Sequence, residues 1–113
     1  MKTDIESDSK MERSSGNVFA DLGFEDAEER QTKVQLAVAI NEVIRRRRLS
    51  QQQAASYLGV NQPKVSTLSK YKLEGFSVER LMRFLTLLDQ DVEIVIRRKP
   101  RSRRPGRITV TAA

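Results

Sequence analysis

The sequence predicts an all-α fold, a small helical bundle followed by one C-terminal β-strand. Three observations carry this expectation. Apolar residues recur at helical spacing between residues 36 and 88, capping and stop residues punctuate that stretch, and β-branched residues concentrate only after it. At 113 residues, with 38% hydrophobic and 5% aromatic content, the chain can bury one modest core, which dimerisation would help to stabilise.

Residues 1–25 are expected to form an acidic, largely disordered arm. Serine and charge dominate residues 1–15, whereas Val18, Phe19, Leu22 and Phe24 lie close enough to dock on something apolar. A helix follows over residues 26–47. Asp26, Glu28 and Glu29 crowd its first turn and Arg45, Arg46, Arg47 and Arg48 its last, which suits the macrodipole at both ends. Leu36, Ile40, Val43 and Ile44 supply its apolar stripe. Ser50 caps a short second helix, and Gln53 completes a capping box. Ala54, Ala55 and Leu58 face inward from it, and Gly59 stops it where a left-handed backbone is needed. Asn61 caps a third helix, with Pro63 in the first turn and Val65 and Leu68 pointing inward.

Glu74-Gly75 breaks the chain before Ser77, the cap of a fourth helix that ends near Leu88. Phe76 and Leu81 are placed as a hydrophobic staple. The inward stripe Val78, Leu81, Met82, Leu85 and Leu88 leaves Phe84 and Leu87 outside it, so this helix requires a second neighbour. Residues 91–97 read as a strand with Val92, Ile94 and Ile96 on one face. A lone strand cannot satisfy its own backbone. Antiparallel pairing with a second copy across a two-fold axis is the preferred answer, which makes Phe84, Leu87, Val92, Ile94 and Ile96 the expected dimer interface. Pairing with the strand-like residues 108–111 of the same chain is the alternative. The domain proper thus spans residues 26–98, and residues 99–113 form a basic, flexible tail.

The informative stretch is residues 50–71, SQQQAASYLGVNQPKVSTLSKY. Two short helices meet at the tight turn Leu58-Gly59-Val60-Asn61, with the small Ala55 at their crossing and Val60, Val65 and Leu68 locking them together. That arrangement is a helix-turn-helix, whose second helix projects into the DNA major groove. The outer face of the third helix is polar, and no acid occurs from residue 51 to residue 73. Gln51 stands at the N-terminus of the second helix. Gln62, at the start of the third, carries an amide able to pair bidentately with adenine N6 and N7. Asn61, Pro63, Ser66, Thr67 and Lys70 lie beside it, with Thr67 offering a methyl to thymine or a hydroxyl to a base edge, and Lys64 and Lys70 suiting phosphates. Arg45 to Arg48 cannot all face one ligand at 100° per residue, so one or two at most would reach phosphates.

Over roughly residues 36–88 the sequence resembles the Xre/Cro-type helix-turn-helix family, with its lambda-repressor-like bundle. Asn17-Val18-Phe19-Ala20-Asp21-Leu22-Gly23-Phe24, Gln62-Pro63-Lys64-Val65-Ser66, Gly75-Phe76-Ser77-Val78-Glu79-Arg80-Leu81-Met82 and Asp91-Val92-Glu93-Ile94 look like the HigA-like antitoxin branch of that family. The resemblance implies a bacterial DNA-binding protein that represses its own operon and neutralises a RelE/HigB-like ribonuclease toxin. It also implies that Gln51 contacts a phosphate and Gln62 reads a base. One departure is local. Arg48 stands where relatives tend to have Gly, at a cost of about 1 kcal/mol if the backbone there is left-handed.

Composition narrows the alternatives. The absence of cysteine and histidine removes disulfides, the thiol nucleophile, the commonest metal ligand and the commonest general base. The chain therefore reads as a binding protein that is not an enzyme and needs no cofactor or metal. Residues 1–30 hold nine acids and four bases, a net −5 that leaves +11 of the total +6 for residues 31–113. A basic body favours double-stranded DNA, here an inverted-repeat operator. The acidic front could meet a basic partner, fold back on the body or remain solvated; Phe19, Leu22 and Phe24 are its candidate toxin-binding residues. Arg103-Arg104-Pro105-Gly106-Arg107 suits a non-specific phosphate contact or a solvated tail. No segment has the length and apolarity of a signal peptide or membrane span, so a cytoplasmic location is expected. A stand-alone repressor without a toxin is the runner-up reading. An RNA-binding helical protein is the third, weakened by the lack of interleaved aromatics for base stacking.

Overall fold

A computed structural model of the chain describes residues 25–101 and 104–112, with side chains from residue 27 onward. The chain divides into two compact units, Met1–Arg30 and Gln31–Ala113, and of the first only the opening of a helix is described. The elements are α1 (Glu25–Arg46), α2 (Gln51–Leu58), α3 (Gln62–Ser69) and α4 (Val78–Leu87). The all-α bundle expected from periodicity is therefore present.

Each short helix begins where a side chain satisfies an orphan backbone N–H. Ser50 Oγ accepts from Gln53 N at 3.0 Å while Gln53 Oε1 accepts from Ser50 N at 2.8 Å, the reciprocal capping box. Asn61 Oδ1 accepts from Lys64 N and Ser77 Oγ from Arg80 N, each at 3.0 Å. Phe76 and Leu81, the expected staple, are both buried.

All four helices among the described residues end in one way, through a left-handed residue that lets the next N–H reach back five positions. Gly59 (φ 71°) does this after α2, with Val60 N donating to Ala55 O at 3.1 Å. Arg48 (φ 56°), Tyr71 (φ 60°) and Asp89 (φ 65°) do it after α1, α3 and α4, with Leu49 N to Ile44 O, Lys72 N to Thr67 O and Gln90 N to Leu85 O. Three of the four positions thus hold a side chain where glycine is least strained. Replacing Arg48 with Gly should raise unfolding stability by about 1 kcal/mol in a urea titration. An unchanged or lowered midpoint would refute the strain assigned to this turn.

The core is one cluster. Leu36, Ala37, Ile40 and Val43 of α1 meet Ala54, Ala55 and Leu58 of α2, Val65 and Leu68 of α3, and Leu81, Phe84 and Leu85 of α4, with Leu73, Phe76 and Leu88 from the flanking turns. One outward assignment needs correction. Phe84 is only 2% exposed and packs edge-on against Phe76, ring centroids 5.9 Å apart. It stands i+3 from Leu81 and i−4 from Leu88, on the face those residues share, and so does not belong to an outward dimer surface. Leu87 does lie outside, at 41% exposure.

The strand expected over residues 91–97 is not formed: among the described residues none belongs to a strand. Residues 108–111 do not supply the missing partner. Instead Val110 N donates to Gln35 Oε1 on α1 at 3.1 Å, and Val110 is half-buried against the core. Residues 91–101 are exposed, with Ile94, Val95 and Ile96 uncovered. A ladder needs a second strand, and the single chain offers none at this position.

Candidate nucleic-acid interface

The tight turn 59–61 joins α2 to α3. Ala54 and Ala55, both buried, leave room for the close approach of the two helices, and Val65 and Leu68 seal it from the α3 side. A second tie comes from α1, where Asn41 Nδ2 donates to Leu68 O at 3.4 Å. The helix held this way turns its polar residues outward. Gln62, Pro63, Ser69 and Lys70 are exposed, and Lys64, Ser66 and Thr67 are half-buried.

The predicted contact residues differ in how free they are to act. Gln51 and Gln62 are exposed at the first positions of α2 and α3. Asn61 spends Oδ1 on the cap, which leaves its amide N–H groups to donate outward. Thr67 donates its hydroxyl proton to Pro63 O at 2.9 Å, leaving a methyl and an acceptor lone pair. Ser69, which sequence reasoning passed over, lies i+7 from Gln62 on the same stripe and donates to Ser66 O at 2.7 Å. Lys70 is exposed at the C-terminal end of α3.

Lys64 is placed differently from a freely projecting phosphate ligand. Its ammonium lies 4.9 Å from the centre of the Phe76 ring. The Arg80 guanidinium stands 5.9 Å from that ring and 5.5 Å from Phe84. Two cations are thus gathered around an aromatic pair where the loop after α3 enters α4. Nothing at the level of spacing announced this, since Lys64 and Phe76 are twelve residues apart.

The arginine run resolves into separate duties. Arg45 pairs with Glu42 through both guanidinium and carboxylate forks, and that hydrogen bonding holds the Glu42 carboxyl below its ordinary pKa. Arg47 donates to Leu88 O at 3.1 Å, lies 3.6 Å from Asp89 Oδ2 and covers the Tyr57 ring at 4.9 Å. It therefore fastens the end of α1 to α2 and to the carbonyls that end α4. Phe19, Leu22 and Phe24 lie outside the described residues. Among the described residues, no group of three or more carboxylates gathers as a metal site, and no helix is long and apolar enough to cross a membrane.

The geometry is that of a helix-turn-helix with an acid-free presented helix, and similarity to known proteins agrees. A family model described as a helix-turn-helix domain matches residues 18–97. A solved structure described as an XRE family transcriptional regulator is 72% identical, covers 78% of this chain and 99% of its own, and superposes with a TM-score of 0.74. No curated protein matches the chain. The chain belongs to the XRE family of helix-turn-helix transcriptional regulators. DNA is the partner of that class.

Proposed function

We propose that the chain reads an inverted-repeat operator as a homodimer, represses its own operon and acts as the antitoxin to a RelE/HigB-like toxin. The observation that carries the DNA reading is Gln62, exposed at the first position of α3 on a surface with no acid from residue 51 to residue 73. Gln62 pairs with an adenine edge, while Gln51 and Lys70 hold phosphates and the Thr67 methyl meets a thymine. Asn61, Pro63 and Ser66 complete the readout around them, and Lys64 contributes its charge from its seat on Phe76. The antitoxin role rests on the HigA-like segments at 17–24, 62–66, 75–82 and 91–94, with Phe19, Leu22 and Phe24 as the toxin-binding residues. A neighbouring gene for a small basic ribonuclease decides between this role and a stand-alone repressor.

Gln62→Ala tests the DNA reading. It should weaken binding to the cognate duplex by about 1–3 kcal/mol and relax preference at one base pair per half-site. Equal losses on cognate and random DNA, measured by anisotropy, would remove Gln62 from the reading role.

A further inference from the structure

We propose that Tyr71 is a DNA-backbone contact whose phenolic hydroxyl donates to a phosphate oxygen at the far end of α3. This deepens the DNA reading above and rests on it. Two tyrosines occur in the chain, and only one has an internal reason for its place. Tyr57 carries the Arg47 guanidinium over its ring. Tyr71 is 43% exposed, and its hydroxyl has no hydrogen-bond partner among the described residues. Its backbone nevertheless holds the left-handed conformation, φ 60°, which a bulky side chain adopts only under constraint. Asp89 in the same conformation belongs to a residue type that tolerates it, and it faces Arg47 at 3.6 Å. A strained, exposed and internally idle aromatic next to the presented helix indicates a side chain kept for an external ligand.

The ligand is the phosphate chain rather than a base. Base-reading residues cluster at the N-terminal end of such a helix, and Tyr71 lies beyond its opposite end, two residues past Ser69. Its immediate neighbours Lys70 and Lys72 are exposed and cationic, so an anionic oxygen is the species that this end attracts. The turn is rigid: Tyr71 N donates to Leu68 O and Lys72 N to Thr67 O, each at 3.1 Å, which fixes the side chain's starting point without a contact of its own.

Two substitutions separate contact from structure. Tyr71→Phe keeps the ring and removes the hydroxyl; Tyr71→Gly removes the side chain and relieves the backbone. Binding is measured on a duplex enriched by the wild-type chain from a random pool and on its scrambled counterpart, alongside thermal unfolding. Tyr71→Phe should lose about tenfold per protomer on both duplexes with Tm unchanged, as expected for a lost hydrogen bond to a charged group. Tyr71→Gly should bind at least as weakly while its Tm rises by about 4–8 °C, opposite signs that a purely structural residue cannot produce. Wild-type affinity in Tyr71→Phe overturns the proposal, as does a lower Tm in Tyr71→Gly. A loss confined to the enriched duplex would make Tyr71 a base reader and overturn the phosphate assignment. Failure of the wild-type chain to prefer the enriched duplex sinks the DNA reading itself, a result distinct from any behaviour of the variants.

Discussion

Phe76→Ala should lower unfolding stability by about 3–5 kcal/mol, the cost of removing a buried aromatic ring whose site cannot fully collapse. Phe76 is 2% exposed, packs against Phe84 and lies under the charged ends of Lys64 and Arg80. Its deletion opens a cavity, removes the π face under Lys64 and leaves Arg80 with the Phe84 ring alone. The consequence reaches α3, because Lys64 is seated through this ring near the start of the presented helix. Phe76→Leu distinguishes the two contributions. Leucine retains most of the apolar volume and none of the ring quadrupole, so stability should fall much less than in the alanine variant while Lys64 is still released. Urea unfolding gives the first quantity and operator affinity the second. A loss below about 1 kcal/mol in Phe76→Ala would contradict the packing.

The same ring illustrates what the sequence made legible. Caps, stops and the staple depend on residues three to five positions apart, so Ser50 with Gln53, Asn61, Gly59 and Phe76 with Leu81 were readable from spacing alone. The exposed positions of Gln51 and Gln62 followed from those helix starts. Partnerships across space were not readable. Arg47 finds the carbonyl of Leu88 41 residues away, and Val110 finds Gln35 across 75. Lys64 chooses a ring that only the tertiary fold delivers. Phe84 was a different kind of failure. Its i+3 relation to Leu81 is present in the sequence, and a wider apolar stripe than Val78, Leu81, Met82, Leu85 and Leu88 includes it.

Ile94→Pro should convert the proposed dimer to monomers and abolish cooperative operator binding. Leu87, Val92, Ile94 and Ile96 are exposed in the single chain, Ile96 at 93%, and a run of uncovered β-branched residues is a template for strand pairing. A two-fold axis through Ile94 would place Val92 opposite the partner's Ile96 and Asp91 opposite the partner's Arg97. Apolar residues then meet on one face and opposite charges on the other, twice over by symmetry. Proline at position 94 removes a backbone donor at the centre of that ladder. The register has its own test in Asp91→Arg, which sets arginine against arginine at both ends. Losing the attraction and adding repulsion at two sites weakens dimerisation by about ten- to a hundredfold, and adding Arg97→Asp in the same chain should restore it. Sedimentation at several concentrations reads both experiments. A proline variant that stays dimeric moves the interface off this segment, and an unrescued double variant moves the axis off Ile94. If the dimer holds, its half-sites lie about 34 Å apart or a multiple of that, and an operator spaced otherwise would be incompatible with this two-fold arrangement.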